Sequence, residues 1–203
     1  MSGGSEIFVV DDDVAVRDSL GTLLKIEGYS VSVFADGHSF LAAAKQRTPA
    51  CVILDVNMPG RSGLDILREL NAQHYPAPIF IISGQGDIPM AVEAIKNGAL
   101  DFIEKPFDAD TVVSHVRDAI AAAERRQKRG GEAGLSSFPG REHLTPRERE
   151  VLGQIAAGAS NKEAGRHLGI SPRTIEVHRA RIMEKLGAKN AADLVRIVMS
   201  EGR

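Results

Sequence analysis

The sequence is poor in cysteine and has no long hydrophobic run. Cys51 is the single cysteine of 203 residues, which excludes an intrachain disulfide and a cysteine-rich zinc module and fits a reducing compartment. No apolar stretch approaches the roughly 20 residues that span a bilayer. The start, MSGGSE, lacks the basic segment and apolar core of a signal peptide. We therefore expect a cytoplasmic protein that does not enter a membrane.

The chain has little net charge, but its charged residues are unevenly divided along the sequence. The net charge is −2. Residues 1–126 hold 11 Lys/Arg and 18 Asp/Glu, a net charge of −7, whereas residues 127–203 hold 14 and 9, a net charge of +5. An acidic front and a basic back, in a chain too long for one typical compact domain, indicate two domains with different partners. Nucleic acid is a candidate partner for the basic part.

The front part, residues 1–126, alternates short apolar runs with amphipathic segments. Runs rich in Val and Ile are typical of parallel strands that are covered on both faces. In the first amphipathic segment, Val16, Leu20 and Leu24 share one helix face, and Gly28 is a plausible stop. Five strand–helix repeats predict an open, doubly wound α/β parallel sheet. The predicted strands are 7–10, 31–34, 51–54, 79–82 and 102–103, and the predicted helices are about 14–27, 38–47, 63–74, 89–97 and 109–126.

The back part of the chain has a different pattern. Residues 127–143 lose hydrophobic periodicity and gather Gly, Ser and Pro, which predicts an interdomain linker, although the preceding helix could continue into it for a turn. Residues 144–203 are helical in pattern, and the segment 167–171 has the length and the glycine of a helix-turn-helix corner. A small all-α domain is therefore predicted. Its four helices follow the capping residues Thr145, Ser160, Ser171 and Asn190.

Polar side chains follow four of the predicted strands. They are Asp11, Asp12 and Asp13 after the first strand, Asp55 after the third, Ser83 after the fourth and Lys105 after the fifth. The carboxyl ends of strands in an open α/β sheet form the ligand crevice, so we expect these groups to converge. Clustered carboxylates bind a hard cation such as Mg²⁺, and an aspartate beside it can attack a phosphoryl group, whose charge the metal and a lysine neutralise. Taken singly, the acidic run has the alternative role of capping a helix and Asp55 that of forming a turn.

On these residues, the front part resembles a response-regulator receiver domain over residues 5–124. The resemblance implies a five-stranded, flavodoxin-like sheet, a cis Lys105–Pro106 peptide, and Mg²⁺ or Mn²⁺ as cofactor. Ser83 stands where Thr is more common, and Phe102 stands where many members have Tyr. The implied roles are phosphoacceptor for Asp55, metal ligands for Asp11, Asp12, Asp55 and the backbone carbonyl of Asn57, conserved hydroxyl for Ser83, switch aromatic for Phe102, and conserved lysine for Lys105.

The third helix of the back domain has one apolar face, which carries Ile175, Ile182 and Leu186, with His178 at its edge as a packed residue. Its opposite face is mixed and suits a DNA major groove, because Arg pairs with guanine, Glu accepts from cytosine, and small apolar groups contact the thymine methyl. A merely solvated helix face is the alternative. The candidates for base contact are Arg173, Glu176, Val177, Ala180 and Arg181, and those for phosphate contact are Asn161, Lys162, Thr174 and Lys185.

Residues 144–200 resemble the LuxR-type helix-turn-helix, on the runs LTPREREVL, SNKEA and SPRTIEVHR. With residues 86–107, the whole chain resembles the FixJ type of two-component response regulator. Gln85 and Ser83 depart from that type, where His and Thr are expected, and favour a paralogue. The resemblance implies phosphorylation of Asp55 by a sensor histidine kinase, release of an inhibited effector domain, homodimerisation, and binding to promoter DNA, with RNA polymerase as a further partner. Movement of Ser83 and Phe102 would alter a dimer face formed by Val92, Ile95, Lys96 and Asp101.

Two other functional classes are compatible with such a sheet. A phosphatase with an aspartyl nucleophile needs a second Asp two residues further on, where this chain has Asn57. An unswitched, structural receiver would lack Asp55, its acidic partners or Lys105, all of which are present. We therefore expect a regulator rather than an enzyme. Its only chemistry would be self-phosphorylation from a phosphodonor and autodephosphorylation.

Overall fold

The structure, a computed structural model, describes residues 5–84, 88–128, 138 and 140–199. The chain divides into two compact units, residues 1–123 and 124–203. In the described part of the chain, no helix is both long enough and apolar enough to cross a membrane. Gln85, which departs from the FixJ type, lies outside the described residues.

The first unit is a five-stranded parallel sheet in the order β2-β1-β3-β4-β5, which confirms the predicted fold class. The central strands β3 and β4 are buried along their whole length, as their Val- and Ile-rich sequences predict. The strands are β1 (Glu6–Val10), β2 (Ser30–Phe34), β3 (Cys51–Asp55), β4 (Ile79–Ser83) and β5 (Asp101–Glu104), and the helices are α1 (Val14–Ile26), α2 (Gly37–Gln46), α3 (Gly63–Glu69), α4 (Ile88–Lys96) and α5 (Ala109–Lys128).

Two helix ends of the first unit differ from the prediction by more than one residue. Helix α3 ends at Glu69 rather than near residue 74, because the chain turns at Asn71, which has a φ of 52°. Asparagine tolerates this left-handed conformation better than most residues do, and a residue in this conformation cannot continue a right-handed helix. Helix α5 continues to Lys128, so the predicted linker begins as helix.

The parallel register brings the carboxyl ends of the strands to one edge of the sheet. Val10 pairs with Leu54, Asp55 with Ile82, and Ser83 with Glu104. The start of α3 lies close beneath this edge, since a Cβ at Gly63 would stand 2.5 Å from the carbonyl oxygen of Asp55. Glycine at this position thus allows α3 to support the loop that follows the central strand.

The second unit contains all four predicted helices: α6 (Pro146–Ala156), α7 (Asn161–Leu168), α8 (Pro172–Leu186) and α9 (Ala191–Met199), preceded by a 3-10 turn at Arg141–His143. Thr145 and Ser160 cap α6 and α7 in reciprocal capping boxes, as predicted. Gly169 ends α7 with a φ of 67°. Helices α7 and α8 can meet closely because residue 165 is glycine: a Cβ at this position would stand 2.6 Å from the carbonyl oxygen of Ile170. Their connection is the predicted helix-turn-helix corner.

Candidate functional site

Lys105 joins two buried carboxylates at the carboxyl edge of the sheet. Its Nζ donates to Asp55 Oδ1 at 2.7 Å and to Asp11 Oδ2 at 2.9 Å. The backbone N–H of Lys105 donates to the carbonyl oxygen of Ser83 at 2.7 Å, which fixes the loop after β5 against β4. The Lys105–Pro106 peptide is cis, as the receiver resemblance implies. The structure therefore brings the predicted phosphoacceptor, acidic partner, hydroxyl residue and lysine together.

Backbone groups hold both carboxylates in place. Asp55 Oδ2 accepts from the backbone N–H of Asn57 at 2.7 Å, and Asp11 Oδ1 accepts from that of Asp13 at 2.8 Å. The Arg17 guanidinium donates to the carbonyl oxygen of Asp11 at 2.6 Å. Sequence reasoning missed Arg17, because its partner is a backbone atom, which carries no sequence signal.

Burial and the contacts between Lys105 and the carboxylates act in opposite directions on the pKa values of this site. Burial raises the pKa of Asp55 above its ordinary value, although the Lys105 ammonium opposes that shift. Burial alone would lower the pKa of Lys105, but the hydrogen bonds to Asp55 and Asp11 outweigh it and the pKa is raised. The lysine consequently remains protonated and compensates the carboxylates that surround it.

The acidic residues form a plausible cation site. Asp11, Asp12 and Asp55 each offer a carboxylate oxygen, and these oxygens lie within 4.8 Å of one another. An all-oxygen set with one exposed member, Asp12, fits a hard divalent cation that keeps part of its water shell. The roles predicted for the Asn57 carbonyl and for Mn²⁺ as a substitute stay predictions.

The predicted dimer face is only partly at the surface. Lys96 is exposed and Val92 is half-buried. Ile95 and Asp101, in contrast, are buried. Ile95 lies on the face of α4 that packs into the unit, and Asp101 accepts from the backbone N–H of Phe102 at 2.9 Å within its own strand. The assignment of these two residues to a surface was wrong, because the sequence shows neither which side of α4 packs on the sheet nor that Asp101 is buried at the start of β5.

Helix α8 of the second unit carries an exposed stripe. Arg173, Glu176 and Ala180 are exposed and recur at helical spacing, with Val177 half-buried beside them. Lys162 is exposed at the start of α7. These residues remain candidates for DNA contact.

Three other predicted DNA contacts are turned into the protein. Thr174 is buried, and its hydroxyl pairs at 2.9 Å with that of Ser171, the N-cap of α8, which also accepts from the Thr174 backbone N–H at 3.1 Å, so Thr174 faces the cap and not phosphate. Lys185 Nζ donates to Glu148 Oε2 at 2.7 Å, and Arg181 Nε lies 3.6 Å from Glu148 Oε1. Glu148 is fully buried on α6. The sequence pattern placed Arg181 on the outward face and Lys185 at the flank of the helix, because it contains no information about the carboxylate that α6 presents.

Comparison with known proteins assigns a family to each of the two units. The family model described as "Response regulator receiver domain" matches residues 7–117, and that described as "Bacterial regulatory proteins, luxR family" matches residues 142–198. The chain belongs to the response regulators. Its receiver domain carries the acidic site, and its LuxR-type domain carries α6 to α9.

Relatives and solved structures cover both domains of this response regulator. The transcriptional regulatory protein FixJ of Bradyrhizobium diazoefficiens is 45% identical over 203 residues, which is 100% of this chain and 98% of that protein. The response regulator protein TmoT of Ectopseudomonas mendocina is 40% identical, over 95% and 87% of the two chains. Full-length FixJ from B. japonicum matches with a TM-score of 0.59 at 45% identity, with 96% of each chain covered. Phosphorylation-dependent regulation of transcription is therefore the function of the family.

The LuxR-type domain has a titratable group in its core. His178 is buried, as predicted, and neither ring nitrogen has a hydrogen-bond partner among the described residues. Burial lowers its pKa to about 3, and the nearby cations Arg147, Arg181 and Lys185 act in the same direction against the opposing Glu148. His178 is thus a neutral core residue of α8.

The neutral state of His178 should make the stability of the LuxR-type domain depend on pH. The pKa is about 3 in the folded state and has the ordinary value, 6.5, in the unfolded chain. Between these values the unfolded chain binds the additional proton, so the free energy of unfolding falls as the pH is lowered through this window. We expect a loss of about 1 kcal/mol per pH unit below about pH 6, measured by native-state hydrogen exchange of core amides in α6 and α8.

A pair of variants isolates this contribution. His178→Leu should flatten the pH dependence, whereas His143→Gln, a change at an exposed histidine, should leave it intact. An unchanged slope in His178→Leu would show that another group is responsible.

Proposed function

We propose that Asp55 is the phosphoacceptor, that a sensor histidine kinase is the donor, and that the phosphorylated protein binds promoter DNA as a dimer in the cytoplasm. The observation that carries this proposal is the Asp55 carboxylate held between Lys105 Nζ and the Asn57 N–H, beside Asp11 and Asp12. We also propose that the protein is not an enzyme acting on other substrates. Asn57 supports this, since its amide cannot serve as the acid/base of an aspartyl phosphatase.

The geometry suits attack by Asp55 on phosphorus. One carboxylate oxygen forms the new O–P bond while the donor's bond to phosphorus breaks, and the donor leaves with that electron pair. A Mg²⁺ ion held by Asp11, Asp12 and Asp55 would supply charge neutralisation for the phosphoryl oxygens. Lys105, which now donates to Asp55, can donate to a phosphoryl oxygen instead, and the Ser83 hydroxyl can do so at the end of β4.

Phosphorylation should therefore depend on Asp55 and on divalent metal. With acetyl phosphate and Mg²⁺, mass spectrometry should map one acyl phosphate to Asp55, and Asp55→Asn should show none above background. Removal of the metal should slow labelling at least about tenfold, because the carboxylates then repel the incoming phosphate. Asp18→Asn, which removes an exposed carboxylate from α1, is the matched control and should label normally. Equal labelling of Asp55→Asn would reject the assignment.

The proposed dimer uses the exposed part of α4. Val92 and Lys96 are accessible there, and β5 is an edge strand of the sheet. Binding of the phosphoryl group by Ser83 would leave room for Phe102, which is half-buried on β5, to rotate. The surface next to β5 would change with it.

Val92→Asp should weaken dimerisation of the phosphorylated protein at least about tenfold, because it introduces a charge at an apolar contact. Labelling of Asp55 should be unaffected. Val33→Asp is the matched control, since Val33 is an exposed valine of β2 at the opposite edge of the sheet. Sedimentation velocity at roughly tens of micromolar, a concentration that populates weak signalling contacts, measures the effect. Wild-type protein that stays monomeric when phosphorylated would contradict the proposal.

We propose further that α8 enters the major groove. Two such helices in a dimer would lie in successive grooves, about 34 Å apart, on a two-fold symmetric site. Exposed Arg173, Glu176 and Ala180, with Val177, then face the bases, while Lys162 faces phosphate. Arg181 and Lys185 are left out, because Glu148 holds them on the α6 side.

Glu176 and Lys162 should behave differently in DNA selection from a random pool. Glu176→Ala should change the preferred base at one position per half-site, by about 1–3 kcal/mol. Lys162→Ala should weaken binding to all DNA sequences alike, and it should reduce the slope of log affinity against log salt concentration by about 0.9 for each half-site. A base preference unchanged in Glu176→Ala, or altered in Lys162→Ala, would exclude this docking.

A further inference from the structure

The side chain of Glu176 is tied to the helix that precedes α8. Asn161 Nδ2, from the first residue of α7, donates to Glu176 Oε1 at 3.3 Å. Asn161 Oδ1 accepts in turn from Arg179 Nη1 at 3.1 Å. A chain of three side chains, Arg179–Asn161–Glu176, thus joins the two helices of the helix-turn-helix.

The two hydrogen bonds of this series of side chains run in the same direction, from the cation to the anion. The Arg179 cation donates to the amide oxygen, and the amide N–H donates to the Glu176 anion, so each bond polarises the amide in favour of the other. Asn161 and Arg179 are half-buried, whereas Glu176 is exposed on the stripe proposed to face the bases. Asn161 and Arg179 therefore lie behind the exposed stripe, and the Glu176 carboxylate that they support lies on it.

A carboxylate on that stripe needs such support. A free glutamate has several rotamers, and DNA phosphates repel it from the groove, so an unrestrained Glu176 would contact a base poorly. A fixed carboxylate accepts from cytosine N4 with less loss of side-chain entropy, and rejects bases without a donor at that point. The amide of Asn161 supplies that restraint.

We propose that Asn161 is a positioning residue for base specificity, acting through its hydrogen bond to Glu176 rather than as the phosphate contact that the sequence suggested. This inference rests on the proposed docking of α8 in the major groove. It assigns the specificity of one position in each half-site to a residue of α7 that does not itself contact that base.

The test is a selection of DNA by the full-length protein, phosphorylated with acetyl phosphate in Mg²⁺, compared for the wild type and five variants. Glu176→Ala should remove the base preference at one position. Asn161→Ala should relax the same position about fivefold to tenfold, which lies within the range for an ordinary hydrogen bond, because the bond that is lost is exposed and 3.3 Å long. In the double variant, Asn161→Ala should add nothing to Glu176→Ala at that position.

Asn161→Asp gives a second, nearly isosteric variant. It keeps an acceptor for Arg179 but loses the donor to Glu176, so it should relax the same position at least as much as Asn161→Ala. Its added negative charge should weaken all sequences alike, which does not alter the ratio between bases. Lys162→Ala, at the neighbouring residue, should leave that ratio at the wild-type value.

The outcomes separate failure of the inference from failure of the docking. If Glu176→Ala leaves the preference unchanged, Glu176 does not contact a base and the proposed docking is wrong. If Glu176→Ala changes the preference but neither Asn161 variant does, the inference alone is overturned. It is also overturned if Asn161→Ala weakens all sequences equally and lowers the salt slope, as loss of a phosphate contact would.

Discussion

The placement of one lysine between two buried carboxylates organises the receiver domain. Lys105 can reach Asp55 and Asp11 only because parallel pairing brings the ends of β1, β3 and β5 to one edge. Two carboxylates this close would repel each other without the ammonium group. The same arrangement makes the site responsive, since any group that takes Lys105 from Asp55 changes the charge balance of the whole crevice. The backbone N–H of Lys105, in the loop after β5, donates to the carbonyl oxygen of Ser83, the last residue of β4, and so ties this loop to the sheet.

In the second domain, too, a buried carboxylate must be compensated by cations, and here the compensation fixes the orientation of a helix. Glu148 is fully buried and needs compensation, which Lys185 and Arg181 provide from α8. These contacts fix the rotation of α8 against α6, and they withdraw two cations from the outer surface of the helix. What remains outward is the narrower stripe of Arg173, Glu176 and Ala180. The identity of the exposed face is therefore decided by a residue two helices earlier in the chain.

Local patterns were sufficient to predict the elements and which side chains meet at the carboxyl edge of the sheet, and insufficient wherever a distant partner decides. Val-rich runs and capping residues such as Thr145 act over a few residues, so the strands, the helices and their carboxyl-end residues were predictable. The burial of Ile95 depends on which side of α4 meets the sheet. The inward turn of Lys185 depends on Glu148, 37 residues away. Arg17 was missed for a related reason, because its partner is the backbone carbonyl of Asp11, which no side-chain pattern reveals.

Glu148 and Asp55 differ in what the loss of their cationic partners would cost in stability. Glu148 also accepts from the backbone N–H of Thr145 at 2.8 Å and so completes the cap of α6. Removing Lys185 and Arg181 from it would leave an uncompensated buried charge at a helix terminus, a strongly destabilised arrangement. Asp55 instead has its second oxygen on the N–H of Asn57, in a loop at the open crevice where Asp12 is exposed. Its lysine can be drawn to a phosphoryl oxygen without breaking any helix cap. The first ion pair is therefore suited to a permanent scaffold for α8, and the second to an exchange of partners that a signal can drive.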